Sequence, residues 1–436
     1  MNLLTDRLSP IFRRYLFAAF GSTTVAAVYG IVDMIVVGQS QGPDGVAALA
    51  VVLPLWTIIY AFGLMMGIGG GILFGKLKGK TCARIEKANE YFTASVLFGL
   101  TVAVATQIGV AVWDRELLAA CGARGHVLDL ALAYIRPLKY LLPFFLFTQL
   151  LGGFLRNDNA PNLAMAAVLA GGALNIFGDW LFVFPLGWGM FGAGLATGLG
   201  AVLTVCVQCL HFFRPHTLGW RRPTVPFFKM KTIFIVGFSA FFIDLSVGIV
   251  TVLFNRQILV YMGNSALAVF GVLQTIIMMT QCCAYAAGQA AQPILSINLG
   301  AGRFDRVRET RRLALVAVAI ISAVWFLLPE CWPNGFVHLF MKPTPDVLAI
   351  APDILRLYGL SLLLLPYNIF AGYYFQSILR PKDALVVSVM RGLVVSGTFV
   401  FLLPAVFPTW TLWLAMPLTE LATAAYAVRR MFAPRT

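Results

Sequence analysis

Charged residues are scarce in this chain of 436 residues, since Asp, Glu, Lys and Arg together make up 11% of it. Soluble globular proteins contain about 25% charged residues, so the composition excludes an ordinary soluble domain. Hydrophobic residues account for 60%, and apolar stretches recur along the whole sequence. Because a helix needs about 20 apolar residues to cross a bilayer, the composition predicts a membrane protein with many spans.

Motifs for common enzyme chemistry are missing as well. The chain contains neither the GxxxxGK[ST] sequence that binds nucleotide phosphates nor the HExxH sequence that binds catalytic zinc. Its single CxxC, from Cys206 to Cys209, lies in an apolar run without the second ligand pair that a zinc site needs. We therefore predict that the protein is not an enzyme and holds no cofactor. The sequence leaves open whether Cys121 and Cys331 form a disulfide.

Apolar segments of membrane-spanning length can be drawn at twelve places. They lie near 13–39, 45–75, 89–113, 129–153, 160–184, 189–213, 230–262, 265–298, 310–330, 352–379, 384–405 and 409–430. The pattern predicts an all-α polytopic membrane protein with twelve transmembrane helices. Short connections such as FPLGWG and YMGNS require successive helices to run antiparallel.

The net charge of +14 is concentrated in alternate loops. The loops on one side contain clusters of Lys and Arg, such as KLKGK (76–80) and RPHTLGWRR (214–222), whereas the opposite loops hold only Arg115, Arg124 and Lys342. Because cytoplasmic loops are enriched in Lys and Arg, we expect the basic side and both termini to face the cytoplasm. The charge then reflects topology and contact with the anionic lipid bilayer, and we expect no nucleic-acid partner.

The two halves of the chain resemble each other. GVAALAVVLPL (45–55) is similar to NSALAVFGVLQ (264–274), and FLRNDNAPNLA (154–164) is similar to SILRPKDALVV (377–387). The repeat predicts two six-helix lobes, 1–213 and 230–436, related by a pseudo-two-fold axis along the membrane normal. A basic cytoplasmic linker, 214–229, joins them. Transporters built from repeats bind substrate near the midplane of the membrane.

Two acids lie inside the apolar segments of the N-terminal half. Asp33 is in the first segment and Asp179 in the fifth, where Asn175 stands one helical turn earlier on the same face. A central aspartate costs about 3 kcal/mol on membrane insertion scales, so it indicates a function. Three interpretations stay open: hydrogen bonding between helices, a carboxyl that takes up a proton, and a Na⁺ site.

The C-terminal half carries charges of both signs within its spans. Asp244 and Glu420 are acidic, and Arg256 and Arg391 are basic. A lone buried charge is costly, so we expect these groups to pair, with Glu420 bound to either Arg391 or Arg256.

Polar and adaptable side chains on several spans predict a substrate cavity. The eighth segment carries a helical stripe of glutamines and a tyrosine, and methionines and aromatics fit varied ligands. The predicted cavity residues are Tyr29, Met65, Gln274, Met278, Gln281, Tyr285, Asp244 and Arg256. Contacts between helices are the alternative for the glutamines.

The chain resembles the multidrug and toxic compound extrusion (MATE) transporters, in their bacterial drug-efflux branch. The resemblance runs from about residue 15 to 430. It is carried by VDMIVVGQSQGPDGVAALAVVLP (32–54), FLRNDNAPNLAMAAVLAGGALNIFGDWLFV (154–183), GMFGAGLAT (189–197), FNRQILVYMGNSALAVFGV (254–272) and GQAAQPILSINLGAGRFDRVR (288–308).

The resemblance implies a cation-coupling site, for H⁺ or Na⁺, at Asp33, Asn175, Asp179 and Thr197. Two departures stand out. Many members have a proline midway along the first helix, where this chain has none and carries Gly21 instead. Some members also use an acid on the tenth helix, where this sequence offers only Asn368.

These features predict a secondary antiporter of the bacterial inner membrane. It would work as a monomer and export lipophilic or cationic compounds in exchange for H⁺, or else Na⁺. The alternative is a flippase for a lipid-linked glycan or another amphiphile, for which Arg256 and Arg391 would supply cationic lining. A membrane scaffold without transport activity is a third possibility.

Overall fold

The structure is a computed structural model that describes residues 2–80, 84–340 and 343–433. Over these residues it is all-helical, with fifteen α-helices and no β-strand. The helices are α1 (Leu8–Lys80), α2 (Ile85–Ala120), α3 (Gly125–Leu138), α4 (Leu142–Asn157), α5 (Pro161–Val183), α6 (Gly189–Cys209), α7 (Pro226–Tyr261), α8 (Asn264–Gly300), α9 (Phe304–Cys331), α10 (Pro333–Phe340), α11 (Pro345–Gly359), α12 (Leu365–Ser377), α13 (Pro381–Val389), α14 (Val395–Val406) and α15 (Ala415–Phe432).

Lys342, predicted in an exterior loop, lies outside the described residues. Cys121 and Cys331 are both free and exposed.

Twelve membrane crossings can be assigned to these helices. In the described part of the chain, nine helical segments are each long and apolar enough to cross a membrane. The pair α3 and α4, bent by 61°, adds a tenth. Helix α1 contains two crossings, and α15 with its preceding 3₁₀ turn supplies the last. The predicted all-α fold with twelve spans is confirmed.

A single glycine divides α1 into its two crossings. The helix has 73 residues, so it would be about 110 Å long if straight, far more than a bilayer accommodates. The backbone breaks at Gly42, with φ 66° and ψ −157°, a conformation that a residue with a Cβ strongly disfavours. Pro43 follows, lacks an N–H donor and disfavours helical geometry in the residue before it. The sequence therefore ends the first predicted span here.

Prolines begin several of the later helices. They occupy the first two positions of α4, α5, α11, α12 and α13. The missing N–H has no cost there, because the first turn of a helix has no acceptor for it. Pro143 stands at the junction where α3 and α4 meet at 61°.

The chain divides into two compact units. Unit 1 comprises Met1–Phe241 and Ser296–Phe304, and unit 2 comprises Phe242–Leu295 and Asp305–Thr436. The lobe boundary at 214–229 stays a prediction.

Helices α5 and α6 of unit 1 approach each other closely through glycines. A Cβ on Gly171 would collide with the backbone oxygen of Gly200, and a Cβ on Gly200 would press on the backbone oxygen of Gly171. Small residues allow this contact between transmembrane helices. The close packing brings the polar side chains of α5 next to those of α6.

A buried aspartate holds the segment after α6 against unit 1. The carboxylate of Asp158, 1% exposed, forms an ion pair with Lys78 and lies 2.8 Å from Nε2 of His211. It also accepts hydrogen bonds from the backbone N–H and the hydroxyl of Thr217. Burial alone would raise the pKa of Asp158, but His211, Lys78 and Thr217 hold it well below its usual range. The predicted linker 214–229 is thus bound to the helices beside it.

We expect Asp158→Ala to lower the free energy of unfolding by about 3 kcal/mol, because it leaves a buried cation unpaired. Thermal unfolding in detergent measures this. The control is Glu86→Gln, which breaks an ion pair to Arg221 whose two side chains are 64% and 54% exposed, and which should change little.

The loss of stability caused by Asp158→Ala should depend on pH. The pKa of Asp158 is lower in the folded protein than in the unfolded chain, where it is about 3.9. Above the unfolded pKa, the contacts of Asp158 therefore contribute all of their stabilising free energy. The contribution is lost as the pH falls through the lower folded pKa. The difference between wild type and Asp158→Ala should therefore shrink below about pH 4, and a difference that stays constant down to pH 3 would contradict the assignment.

Candidate functional site

A cluster of polar side chains lies among the helices of unit 1. Asp33 comes from α1, Asn175 and Asp179 from α5, and Thr197 from α6. The tyrosine Tyr134 of α3 joins them. The structure therefore brings together the four residues of the predicted cation-coupling site.

The Tyr134 hydroxyl is the centre of the cluster. It donates to Oδ2 of Asp33 at 3.1 Å and lies 3.2 Å from Oγ1 of Thr197. Asn175 donates from Nδ2 to the same Thr197 oxygen at 3.3 Å, and Thr197 donates to the backbone oxygen of Ala193. One hydroxyl thus connects α1, α3 and α6, and Asn175 adds α5.

Four oxygens of the cluster lack a hydrogen-bond donor. They are buried and accept nothing from the residues that the structure describes: Oδ1 of Asp33, Oδ1 of Asn175, and Oδ1 and Oδ2 of Asp179. Asp179 is completely buried and Asn175 is 3% exposed. Buried oxygens without donors carry a large desolvation cost, so this arrangement suits a site that receives a proton or a small cation.

The chemistry of the donor set narrows the choice of ion. Two carboxyls, one amide oxygen and one hydroxyl are all hard oxygen ligands, which suit small alkali cations or H⁺ better than transition metals. In the described ranges, no group of three or more His, Cys, Asp and Glu side chains is placed to hold a metal ion. The charge of Asp33 also acts on Asp179, so one added positive charge relieves repulsion between the two.

Sequence reasoning missed Tyr134. It is one of 13 tyrosines, and nothing in its surroundings, ALAYIRP, distinguishes it from a tyrosine that only packs. Its hydroxyl becomes significant because it meets a carboxyl 101 residues away in the sequence.

Two predicted cavity residues line an actual cavity in unit 2. Gln274 and Gln281 border a small cavity of about 50 Å³ that also contacts Arg391. Gln274 donates to Oγ1 of Thr251 on α7 at 3.1 Å, so the alternative of contacts between helices also applies to it. Nearby in the sequence, the Tyr285 hydroxyl donates to Oδ1 of Asp244 at 3.4 Å.

The other predicted cavity residues lie elsewhere. In unit 2, Met278 is 38% exposed and the Arg256 side chain is also exposed, and neither borders this space. In unit 1, Tyr29 is half-buried against α5, where it faces Gly172. Met65 is completely buried in the hydrophobic core of that unit.

Two buried charges of unit 2, Arg391 and Glu420, form a network with Asn368. Nε of Arg391 donates to both carboxylate oxygens of Glu420, at 3.0 and 3.1 Å. Asn368 donates to Oε2 of Glu420 at 2.6 Å and to its backbone oxygen at 2.8 Å. Of the two partners expected for Glu420, the structure selects Arg391.

Comparison with known proteins gives a consistent result. The MatE family model matches residues 18–181 and 238–401. The multidrug export protein MepA of Staphylococcus saprophyticus is 22% identical over 408 residues, which cover 91% of this chain and 88% of that protein. MepA of Staphylococcus haemolyticus is 24% identical over 378 residues, 85% of this chain and 82% of that one.

Among solved structures, a multidrug resistance transporter of the MATE family in an outward-facing conformation superimposes with a TM-score of 0.90. It shares 22% sequence identity, and the match covers 98% of this chain and 96% of that one. At this level of sequence identity, the match shows that the two proteins share a fold.

Proposed function

Since the chain belongs to the MatE family, we propose that it is a secondary antiporter that exports lipophilic or cationic compounds in exchange for H⁺. The names of the similar staphylococcal proteins support drugs as the exported compounds. The absence of a nucleotide-binding motif in the sequence supports an ion gradient as the energy source. The role is transport rather than catalysis.

The observation that carries the proposal is the set of four buried oxygens without donors. Asp33 and Asp179 are costly to bury as anions. A proton on either acid turns an acceptor into a donor and can satisfy a neighbouring oxygen of the cluster. The site can therefore exist with or without a bound proton, as an exchanging carrier requires.

Coupling between ion and drug follows from linkage. If the proton and the drug favour different conformations, the binding of one promotes the release of the other. Tyr134 is suited to transmit the change, because its hydroxyl touches both the acid of α1 and Thr197 of α6. We propose that loading of Asp33 alters this contact and shifts α1 relative to α3 and α6.

The clusters of Lys and Arg at 76–80 and 214–222 support an orientation with both termini in the bacterial cytoplasm. Drug would then leave from the cytoplasmic side and protons would enter from outside. We propose that the transporter acts as a monomer.

The flippase alternative has less support. Of the two arginines on which it depends, Arg256 does not line the cavity of unit 2, and Arg391 is paired with Glu420. The pairing of Arg391 with Glu420 leaves little cationic lining for a lipid-linked glycan or another amphiphile.

Transport in proteoliposomes tests the proposal. We expect the purified protein to move ethidium when a pH gradient is imposed and to remain inactive with a Na⁺ gradient alone. Movement with Na⁺ alone would replace H⁺ by Na⁺ as the coupling ion and leave antiport intact. If neither gradient moves ethidium, or any of several other lipophilic cations, the proposal of an antiporter is wrong.

A further inference from the structure

An open groove runs along the first turns of α9 in unit 2. Its volume is about 630 Å³, which falls in the range of sites for small ligands. The charged residues of its lining are Arg308, Glu309, Arg311 and Arg312. Three arginines and one glutamate give the lining a net charge of +2, so the groove favours an anionic ligand.

One of the three arginines holds the wall of the groove in place. Nη1 of Arg311 donates to the backbone oxygen of Met431 at 3.0 Å. The centre of its guanidinium lies 4.5 Å from the centroid of the Phe432 ring, an attractive arrangement of a cation and an aromatic face. These contacts join α9 to the end of α15 and place Phe432 beside the groove. The groove is therefore part of the packed fold.

The other two arginines are available to a ligand. Arg308 and Arg312 are exposed and stand one helical turn apart on the same side of α9. Neither forms a hydrogen bond or an ion pair with any residue that the structure describes. Their Cβ atoms are about 5–6 Å apart at this spacing, so both long side chains can reach one phosphate group. The parallel N–H groups of a guanidinium match the oxygens of a phosphate.

Beyond the arginines, the same face of α9 becomes apolar. Leu315 and Ala319 line the groove, and their spacing from Arg308 and Arg312 is that of a single helical face. Helix α9 is long and apolar enough to cross the membrane. Ala319 lies about 10 Å further along the helix axis than Arg312. An anion bound at the arginines therefore has an apolar strip beside it, which suits a ligand that is anionic at one end and hydrophobic at the other.

The corresponding end of α2 in unit 1 is covered by the protein itself. The family model matches the chain twice in succession, so α2, the third crossing, corresponds to α9, the ninth. Glu90 of α2 accepts a hydrogen bond from the backbone N–H of Thr224 at 2.9 Å and forms an ion pair with Lys229 at 3.0 Å. The segment after α6 thus covers an acidic helix end. On α9 the described residues leave arginines exposed at this end, which favours an anionic cover.

We propose that this groove binds one anionic phospholipid of the surrounding bilayer. The phosphate lies between Arg308 and Arg312, and an acyl chain lies along Leu315 and Ala319. Arginines at the membrane surface attract anionic headgroups, and burial of the methylene groups of the chain adds a hydrophobic contribution. A zwitterionic headgroup brings its own cation close to the arginines and binds less tightly. The site is separate from the polar cluster of unit 1 and does not depend on the proposed antiport.

Binding of fluorescent lipids to the purified protein in detergent tests the site. Fluorescence anisotropy measures the affinity for phosphatidylglycerol and for phosphatidylcholine, each labelled on an acyl chain. We expect wild type to bind phosphatidylglycerol about tenfold or more tightly than does Arg308→Gln/Arg312→Gln, since an arginine near an anionic lipid headgroup contributes about a factor of five. Phosphatidylcholine should bind both proteins within about twofold. The two arginines are exposed, so the double variant should fold like wild type.

The control is Arg222→Gln/Arg303→Gln, which removes the same charge from two exposed arginines outside the groove. It should bind phosphatidylglycerol within about twofold of wild type. An equal loss of affinity in both double variants would show that only the overall positive charge attracts the lipid. Unchanged affinity in Arg308→Gln/Arg312→Gln would also overturn the inference.

A competition experiment distinguishes a lipid headgroup from free phosphate. Inorganic phosphate lacks the acyl chain that contacts Leu315 and Ala319, so it should displace labelled phosphatidylglycerol from wild type no better than sodium chloride of the same ionic strength. Stronger displacement by phosphate would show that the arginines take a free anion, and the proposal of a lipid site would then be wrong.

Discussion

Asp179→Asn should reduce drug efflux to the level of cells that carry the empty vector. Asparagine has nearly the shape of aspartate but cannot exchange a proton, so the coupling ion loses its central ligand. Both carboxylate oxygens of Asp179 are buried and accept no hydrogen bond from the described residues. An amide in their place can donate to one of the neighbouring oxygens, and we therefore expect the variant to be at least as stable as wild type.

The combination of lost transport and retained stability is the informative result. Ethidium efflux from cells measures the first, and thermal unfolding of the purified protein measures the second. Asp129→Asn is the matched control, because Asp129 is an exposed acid on α3 and should be dispensable. Asp179→Glu keeps an ionisable group but adds a methylene to a fully buried position, so we expect it to retain part of the activity. Wild-type efflux in Asp179→Asn at normal protein levels would remove the coupling role.

Tyr134→Phe should lower the rate of efflux about tenfold, the effect of losing about 1.4 kcal/mol from one hydrogen bond to an acid. The hydroxyl contacts Asp33 and Thr197, and the ring itself is buried, with 2% exposure. Phenylalanine preserves the packing of the ring. The change therefore isolates the hydroxyl, which holds the acid of α1 in place relative to α6.

The control for this prediction is Tyr140→Phe, since Tyr140 lies just beyond α3 and is 73% exposed. It should transport like wild type. A full rate in Tyr134→Phe would show that the hydroxyl is only a structural contact, and the coupling site would then reduce to Asp33, Asn175, Asp179 and Thr197. A loss of folded protein in Tyr134→Phe, seen as a much lower unfolding temperature, would contradict the claim that the ring alone maintains the packing.

The buried acids of the two units differ in their hydrogen-bond partners. In unit 1 the acids Asp33 and Asp179 lie without a basic partner in the cluster, and three of their four carboxyl oxygens are left without donors. In unit 2 the acid Glu420 is saturated by Arg391 and Asn368. A carboxylate whose oxygens already accept hydrogen bonds from an arginine and an asparagine is poorly suited to exchange a proton. This difference supports the proposal that ion coupling takes place in unit 1.

The sequence by itself determined the class of protein, the number of spans and the positions of the acids within them. These properties are local: the length of an apolar run decides whether it can cross a bilayer, and the cost of a carboxylate in that run marks it as unusual. The sequence also predicted separate segments at 13–39 and 45–75, and the structure places the break between them at Gly42.

Only the tertiary structure decided which side chains meet. Tyr134 joins the coupling site across 101 residues of sequence, and Asp158 anchors a segment 59 residues further on at Thr217. The choice of Arg391 over Arg256 for Glu420 likewise depends on how α15 packs against the π-helical turn. Sequence patterns indicate that a buried polar group needs a partner, but the identity of that partner is set by the packing of helices distant in the chain.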